Sequence, residues 1–394
     1  MTAPRYTILG AGRQGTAAAY DLAVRGAAAQ ILLVDRDLAT AEAAAARVNA
    51  LAGRPVATAR AAEVTDPAAL ADALRGATVA LSAVPYYFNL AITRAALALG
   101  VHLVDMGGHT GVVREQLALD AEARAAGVVV LPDCGMGPGL FNVIAVHAYG
   151  LLDHARSLFV ADGGLPLHPV APWNYQLAFH INGLTNEYDG TVPLIRDGQL
   201  VEVEALSEPL TVDLGPHGRF ESFIAAGGST LPWTFAGRLD RFETRILRFP
   251  GHYERFRAYR ELGLFREDKI RVGDVEVAPR DVYHALLAPH VAIGPGFEDL
   301  CLMHARAEGT HRGEPARAVV EITDRYDAAS GFTAMERLTG FHCAMMMSMI
   351  AEGAVPTGAR ALEALLLHGA PSTQTVLEGL TARGIAWTAR VEPA

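Results

Sequence analysis

Lysine is almost missing from this sequence. Lys269 is the only one, and arginine supplies the rest of the 33 basic residues. Schiff-base or pyridoxal chemistry would have to run through that side chain, and Glu267-Asp268-Lys269 resembles no pocket motif. Cysteine is scarce as well. Cys134, Cys301 and Cys343 are far apart, which excludes a zinc pattern and a disulfide framework and predicts a reducing, cytoplasmic setting. His284, His290, His304 and His311 lack metal-ligand spacing and read as structural, so no metal is expected. Positive charge is in deficit, with a formal net charge of −10, which argues against a general binder of nucleic acid or anionic membrane. No run approaches the roughly 20 apolar residues of a bilayer span. Met1-Thr2-Ala3-Pro4-Arg5 leads directly into a strand pattern, and no signal peptide is expected.

What is present is apolar and long. With 394 residues, 51% of them hydrophobic, the chain can build two domains with real cores. A short apolar run, 6–9, is followed at once by Gly10-Ala11-Gly12-Arg13-Gln14-Gly15, an alanine-rich helical pattern, and a second apolar run, 31–34, that ends on Asp35. This order of strand, glycine-rich turn, helix, strand and acid is the dinucleotide-binding pattern. Gly10 permits the tight turn, Gly12 the approach of a pyrophosphate, and Gly15 the packing of helix on strand. The helix N-terminus offers N–H groups to the phosphates, and Asp35 can accept hydrogen bonds from the ribose hydroxyls. A carboxylate there repels a 2′-phosphate, so NAD is favoured over NADP, although the neighbouring Arg36 could recruit NADP.

Apolar runs recur at 79–84, 101–104 and 128–131, separated by helical patterns at 36–51, 67–75, 89–99 and 114–126. Asp66-Pro67 reads as an N-cap with proline at the first helical position. Runs without alternation suit a parallel sheet covered on both faces. We therefore expect an α/β chain: an N-terminal doubly wound Rossmann domain over 1–134, completed by helices from about 335 to 394, and an α+β substrate domain over 135–334 with a mostly antiparallel sheet. The second domain shows a hairpin pattern at 192–206 around Asp197-Gly198 and strand-like pieces near 209–214, 219–225, 244–249, 270–277 and 317–324. The glycine- and proline-rich stretch 134–139 reads as the hinge.

Ligands of such a fold sit at the carboxyl ends of the strands. Ala83-Val84-Pro85 are small enough for a nicotinamide ribose to lie close, and Tyr86 can wall the ring. The next strand ends in Asp105-Met106-Gly107-Gly108-His109 and the one after in Pro132-Asp133-Cys134. The candidate cofactor residues are thus Gly10, Gly12, Arg13, Gln14, Gly15, Asp35, Arg36, Asp66, Ala83, Val84, Pro85 and Gly107. Asp105 and Asp133 also read as helix caps, His109 as a solvated loop residue, and Cys134 as a small buried filler. In the second domain Arg245 and Arg248 point to opposite faces of a strand, so only one faces a cleft, where it could clamp a carboxylate. His252 follows a Pro-Gly turn and could reach the same cleft. Trp173-Asn174-Tyr175 carries the mix of polar and aromatic groups of a recognition surface.

At these residues the sequence resembles the saccharopine dehydrogenase-like oxidoreductases. The carriers are Gly10 to Gly15 with Asp35, the Asn89 that closes Tyr86-Tyr87-Phe88-Asn89, and Asp105-Met106-Gly107-Gly108-His109. Pro132-Asp133 with Gly137-Pro138-Gly139 and Asn142 also match. So do Gly163-Gly164-Leu165-Pro166, the Tyr175, Gly183 and Leu184 spacing, Gly227-Gly228-Ser229-Thr230, and Arg248 with Gly251-His252. Within the family the resemblance is greatest to the L-lysine 6-dehydrogenase branch. It implies an NAD-linked oxidation at a C–N bond of an amino acid, in a homo-oligomer, dimer or higher. Asp105, His109 or His252 would be the base, and Arg248 would hold the α-carboxylate. Glu187 or Asp133 would hold the α-ammonium, with Tyr86 and Asn174 near the substrate. A secondary-amine substrate of the saccharopine or carboxynorspermidine type is the alternative, and a non-catalytic NAD-binding sensor is a third reading.

Overall fold

The computed structural model describes residues 3–394; Met1 and Thr2, part of the segment from which no signal peptide was expected, lie outside the described residues. The strands in chain order are β1 (Arg5–Leu9), β2 (Gln30–Asp35), β3 (Ala57–Ala61), β4 (Val79–Ser82), β5 (His102–Asp105), β6 (Val129–Leu131), β7 (His154–Pro166), β8 (Thr191–Arg196), β9 (Gln199–Glu204), β10 (Ser207–Asp213), β11 (Arg219–Ile224), β12 (Arg241–Arg248), β13 (Ile270–Val272), β14 (Val275–Val277), β15 (Asp299–His311), β16 (Glu314–Arg325), β17 (Gly358–Ala359) and β18 (Ala386–Pro393). They form two compact units. The first contains 1–147, Ser229–Thr234 and Asp327–Trp387; the second contains Ala148–Gly228, Phe235–Tyr326 and Thr388–Ala394.

The first unit is built on a seven-stranded parallel sheet in the order β17-β6-β5-β4-β1-β2-β3, the doubly wound arrangement expected from the alternating runs. Its strands are continuous apolar runs because both faces are covered: Leu9, Val34, Leu70, Leu74, Ala80 and Ile92 pack in one core. The helix Arg13–Arg25 buries Ala17, Ala18, Ala19 and Leu22. These small side chains let the C-terminal segment lie close, and a Cβ on Gly340 would fall 2.8 Å from that of Ala17. A buried ion pair adds to the contact, with Arg383 donating to both oxygens of Asp21 at 2.8 and 2.6 Å. The C-terminal segment therefore completes the first unit through Trp387.

The crossing into the second unit comes at His147/Ala148, near the end of the helix Leu140–Gly150, and not at the glycine-rich 134–139 stretch. Leu140, Phe141, Val143 and Ile144 of that helix are buried in the first unit and hold it there. Two further readings need correction. The pattern over 114–126 is two helices, Thr110–Leu117 and Asp120–Ala125, and the tail is not helical throughout but ends in β18.

The second unit carries a nine-stranded sheet with β10-β11-β12-β7-β15-β16-β18 along its path and β8 and β9 attached at β12. All its pairings are antiparallel except β12 with β7 among those with a described register. The β8–β9 hairpin turns at Asp197 and Gly198, with φ of +48° and +73°, as a two-residue turn of this handedness requires. Gly163 in β7 is forced by packing, since a Cβ there would lie 2.5 Å from the carbonyl oxygen of Leu247. No helix of the described residues is long and apolar enough to cross a membrane.

Candidate active site

In the first unit the glycine-rich turn has the geometry of a phosphate cradle. Gly10 has φ +102°, and a Cβ there would lie 2.6 Å from the carbonyl oxygen of Ala83. At Gly15 it would lie 2.0 Å from the carbonyl oxygen of Gly10, so the helix can start this close to β1 only with glycine. Gly12 differs: it is the N-cap of Arg13–Arg25, has no side chain to bond the first N–H groups, and faces open space. An anion at that point meets the first N–H groups and the positive end of a helix. The residues thus fit a dinucleotide. Arg13 reaches Glu336 at 3.1 Å, and Gln14 lies in the first turn. Asp35 is half-buried and braces the loop, accepting the N–H of Ala11 at 3.0 Å and of Asp37 at 3.1 Å. Its remaining lone pairs are what a ribose would use. Arg36 is exposed. Asp66 caps the helix Pro67–Leu74 through the N–H groups of Ala68 and Ala69, which commits its carboxylate to structure.

Beyond β4, Ala83, Val84 and Pro85 lead into the turn Tyr86–Phe88. Tyr86 stacks on His109, ring centroids 5.3 Å apart and 14° from parallel. His109 is the N-cap of Thr110–Leu117, its Nδ1 accepting the N–H of Val112 at a long 3.4 Å, and its ring is exposed. Asn89 is buried and accepts from Ser82 Oγ at 2.7 Å.

Asp105 is not the exposed base that its position at a strand end suggested. Oδ1 accepts the N–H of Gly107 at 2.8 Å and of Asp133 at 3.2 Å, and Oδ2 accepts Gln116 Nε2 at 2.7 Å. Burial pushes its carboxyl up, and these three bonds oppose the shift. It is a brace that joins the ends of β5 and β6. Neither Asp105 nor Asp133 caps a helix. Asp133 takes the left-handed φ of +62°, accepts Ser229 Oγ at 2.5 Å on Oδ2, and has no partner on its buried Oδ1. Gly107 leaves room for that oxygen, since a Cβ there would lie 2.2 Å from it. Cys134 is fully buried, as a filler would be.

Sequence reasoning missed His342 and Glu363. His342 is buried, its Nδ1 bonds the carbonyls of Cys134 and Gly135 at 2.9 and 3.0 Å, and burial holds it down to about 4 against those bonds. Glu363 accepts from Asn142, Thr230 and Thr234 at 2.9, 2.6 and 2.9 Å. These partners are far apart in sequence, so no local pattern could have paired them.

The second unit holds a separate polar cluster around Arg248, which is 2% exposed. Its Nε donates to Tyr188 Oη at 2.8 Å, Nη1 to the carbonyl of Leu247 at 3.1 Å, and Nη2 to Glu187 at 3.1 Å. Tyr175 presents its ring face 5.1 Å from the guanidinium. Burial works against the Arg248 charge, but the tyrosines and Glu187 hold it above its ordinary value. Burial also pushes the Asp162 carboxyl up to about 7, against the pull of Arg248, and Glu187 up to about 8. Glu187 keeps 21% of its side chain exposed, so Asp162 is the group whose titration burial controls most fully.

Arg245 lies on the other face of β12, buried and neutralised by Glu243 at 2.9 Å, with a further bond to the carbonyl of Glu208. His252, expected in a cleft, is instead 1% exposed inside an aromatic cluster, stacked on Phe256 at 4.1 Å and bonded through Nε2 to Tyr188 Oη at 3.0 Å. Burial, then Arg248 and Arg255, hold it neutral far below its ordinary value, so it is a core residue. Asn174, at φ +49°, forms a turn in which its N–H donates to the carbonyl of Val170. Lys269 is exposed.

Asp162 makes a pH prediction possible. Its folded pKa is about 7 and its unfolded value about 4. Between these limits the folded chain binds more protons than the unfolded chain, so stability falls as pH rises through that window. Denaturation midpoints followed from pH 4 to 7 should show this decline, and Asp162→Asn should flatten it; an unchanged slope in that variant contradicts the assignment.

Residues 6–131 match the family profile described as saccharopine dehydrogenase NADP binding domain, and 135–385 match the saccharopine dehydrogenase C-terminal domain. The saccharopine dehydrogenase (NADP(+), L-glutamate-forming) of Saccharomyces cerevisiae is 25% identical over 219 residues, covering 52% of this chain and 48% of that protein. The Schizosaccharomyces pombe counterpart is 26% identical over 159 residues, 39% of this chain and 34% of its own length. The matched stretches thus span half or less of those relatives. Apo saccharopine dehydrogenase from S. cerevisiae superposes with a TM-score of 0.78 at 17% identity, over 99% of this chain and 100% of that one. The homospermidine synthase of Legionella pneumophila, solved with NAD, superposes at 0.65 and 11% identity, over 99% and 92%. Both superpositions concern the fold. With both profiles matched in order along 6–385, the chain belongs to the saccharopine dehydrogenase family.

Proposed function

We propose that this protein oxidises the ε-C–N bond of L-lysine with NAD to an imine and NADH, and that water hydrolyses the imine to ammonia and 2-aminoadipate 6-semialdehyde, which cyclises. The observation that carries the reading is the open space at Gly12, at the N-terminus of a helix with no side-chain cap, with Asp35 at the end of β2. The bound nicotinamide would accept the hydride. The profile and the curated relatives are described with NADP, whereas the Asp35 carboxylate favours NAD.

Hydride leaves only if the nitrogen lone pair assists, so the amine must be neutral, and a free lysine amine has a pKa of about 10.4. A base is therefore required. His109 is the candidate that remains, since its ring is exposed and its Nδ1 cap bond is long. Asp105 and His252 are committed to structure. Within the second unit Arg248 is the proposed carboxylate-recognising group, with Glu187 beside it for the α-ammonium and Asn174 as a further substrate contact; within the first, Tyr86 is proposed to line the site beside His109. Arg245 is already neutralised, which favours a substrate with a single amino-acid end. Three buried free cysteines suit a reducing cytoplasm, and the family resemblance supports a homo-oligomer.

One observation favours the secondary-amine reading. Arg255 Nη1 is buried without a hydrogen-bond partner, and a second carboxylate would satisfy it. An absorbance assay separates the two. NADH and ammonia should form in equal amounts from NAD and L-lysine. Turnover of saccharopine alone would replace this reading with the second, and turnover of no amine would end both.

A further inference from the structure

The segment Ser229–Thr234 belongs to the first unit although the chain on both sides of it belongs to the second. Something must hold it there, and the structure supplies one anchor. Glu363, fully buried in the helix Leu362–Leu367, accepts Thr230 Oγ1 and Thr234 Oγ1 on Oε1 and Asn142 Nδ2 on Oε2. Asn142 in turn accepts the N–H of Gly139 at 3.2 Å, in the turn that follows Asp133. The carboxylate thus ties the segment to the chain beside β6.

What the segment delivers is Ser229 Oγ, 2.5 Å from Asp133 Oδ2. Both residues adopt the left-handed region, at φ +42° and +62°, a conformation that a non-glycine residue keeps only when its surroundings impose it. Asp133 is 3% exposed, and its Oδ1 has no partner in the protein. The charged groups that face it are acidic: Asp105 from β5 and Glu363 from the C-terminal helix. A buried carboxyl with one oxygen fixed and the other unmatched is half of a hydrogen bond that a ligand can complete.

We propose that Glu363 is a positioning residue: by clamping Thr230 and Thr234 it sets Ser229, and Ser229 turns Asp133 so that Oδ1 is kept for the nitrogen of a bound amine. This deepens the amine-oxidation reading and rests on it for the ligand class, but the relay itself does not depend on turnover.

The relay has a signature that a purely structural or purely electrostatic Glu363 would not produce. Burial and the Asp105 charge push the Asp133 carboxyl well up, the Ser229 bond pulls it down, and the Glu363 charge pushes it up by less than Ser229 pulls. Removing the Glu363 charge alone should therefore lower the Asp133 titration. Removing the positioning of Ser229 should raise it. The experiment is a 13C NMR titration of the full chain labelled at aspartate carboxyls, with the Asp133 signal assigned by Asp133→Asn. Ser229→Gly suits the left-handed backbone and deletes the hydroxyl; it should move the titration upward by about half a unit or more. Glu363→Gln should move it in the same direction, and Thr230→Val, which keeps the Glu363 charge, should do so even if Glu363→Gln does not fold. A downward or absent shift in Thr230→Val, or an unmoved titration in Ser229→Gly, overturns the proposal. If the shifts occur while no amine is oxidised, the relay stands and the function assigned above fails by itself.

Discussion

Arg248→Ala should destabilise the second unit strongly, whatever it does to substrate binding. The guanidinium makes three hydrogen bonds and is 2% exposed, and its removal leaves Glu187 and Asp162 without their only described cation. Breaking one partner from a buried charge network costs about 3–5 kcal/mol. For a unit of this size that corresponds to a fall in melting temperature of roughly 10 °C. Arg248→Lys should recover part of the loss, because an ammonium keeps the charge but cannot span Tyr188, Glu187 and the Leu247 carbonyl together. Adding Glu187→Gln to Arg248→Ala should also restore stability, since the orphaned carboxyl is then gone. A variant that melts within about two degrees of the wild type would contradict this account of the cluster. The consequence for function is direct: a raised Michaelis constant in Arg248→Ala identifies a substrate contact only if the variant is shown to be folded.

Gly12→Val should behave in the opposite way. A Cβ at Gly12 meets nothing within 4 Å, and the backbone there has φ −72° and ψ −168°, which any residue adopts. The cost to folding is limited to a poorer N-cap, about 0.5–1 kcal/mol. The side chain would instead fill the approach to the first N–H groups of Arg13–Arg25. Dinucleotide affinity should fall about a hundredfold or more, equivalent to ~2.8 kcal/mol. Gly15→Val makes the useful contrast, because there the Cβ would strike the Gly10 carbonyl at 2.0 Å and the fold itself would suffer. Affinity that survives in a folded Gly12→Val protein would remove the phosphates from this turn.

The difference between these two sites explains what the sequence could disclose. The cradle is local: its three glycines and Asp35 lie within one strand-helix-strand unit, and spacing alone brings them together. The same holds for the runs at 6–9, 31–34, 79–84, 101–104 and 128–131, which are β1, β2, β4, β5 and β6 to within two residues. β3 escaped because Ala57-Thr58-Ala59-Arg60-Ala61 has little intrinsic strand preference and is held by pairing with β2. β7 escaped because Gly163 and Gly164 interrupt its pattern, although its packing on Leu247 demands that absence of side chain. β18 was hidden in a helical reading of the tail. The Arg248 cluster draws on β7, β12 and the helix Ile181–Tyr188, and the Glu363 anchor joins positions 142, 230, 234 and 363. No window of sequence contains either. Burial was equally invisible: His252 and Asp105 have the composition of catalytic groups and the surroundings of core residues.

The claim on which the rest depends is that the first unit binds a nicotinamide dinucleotide at its glycine-rich turn. Calorimetric titration of NAD into the purified wild-type chain tests it most directly. One saturable site per chain is expected, abolished in Gly12→Val and weakened in Asp35→Ala. No heat of binding from NAD or from NADP, in protein that is folded by its melting curve, would contradict the account.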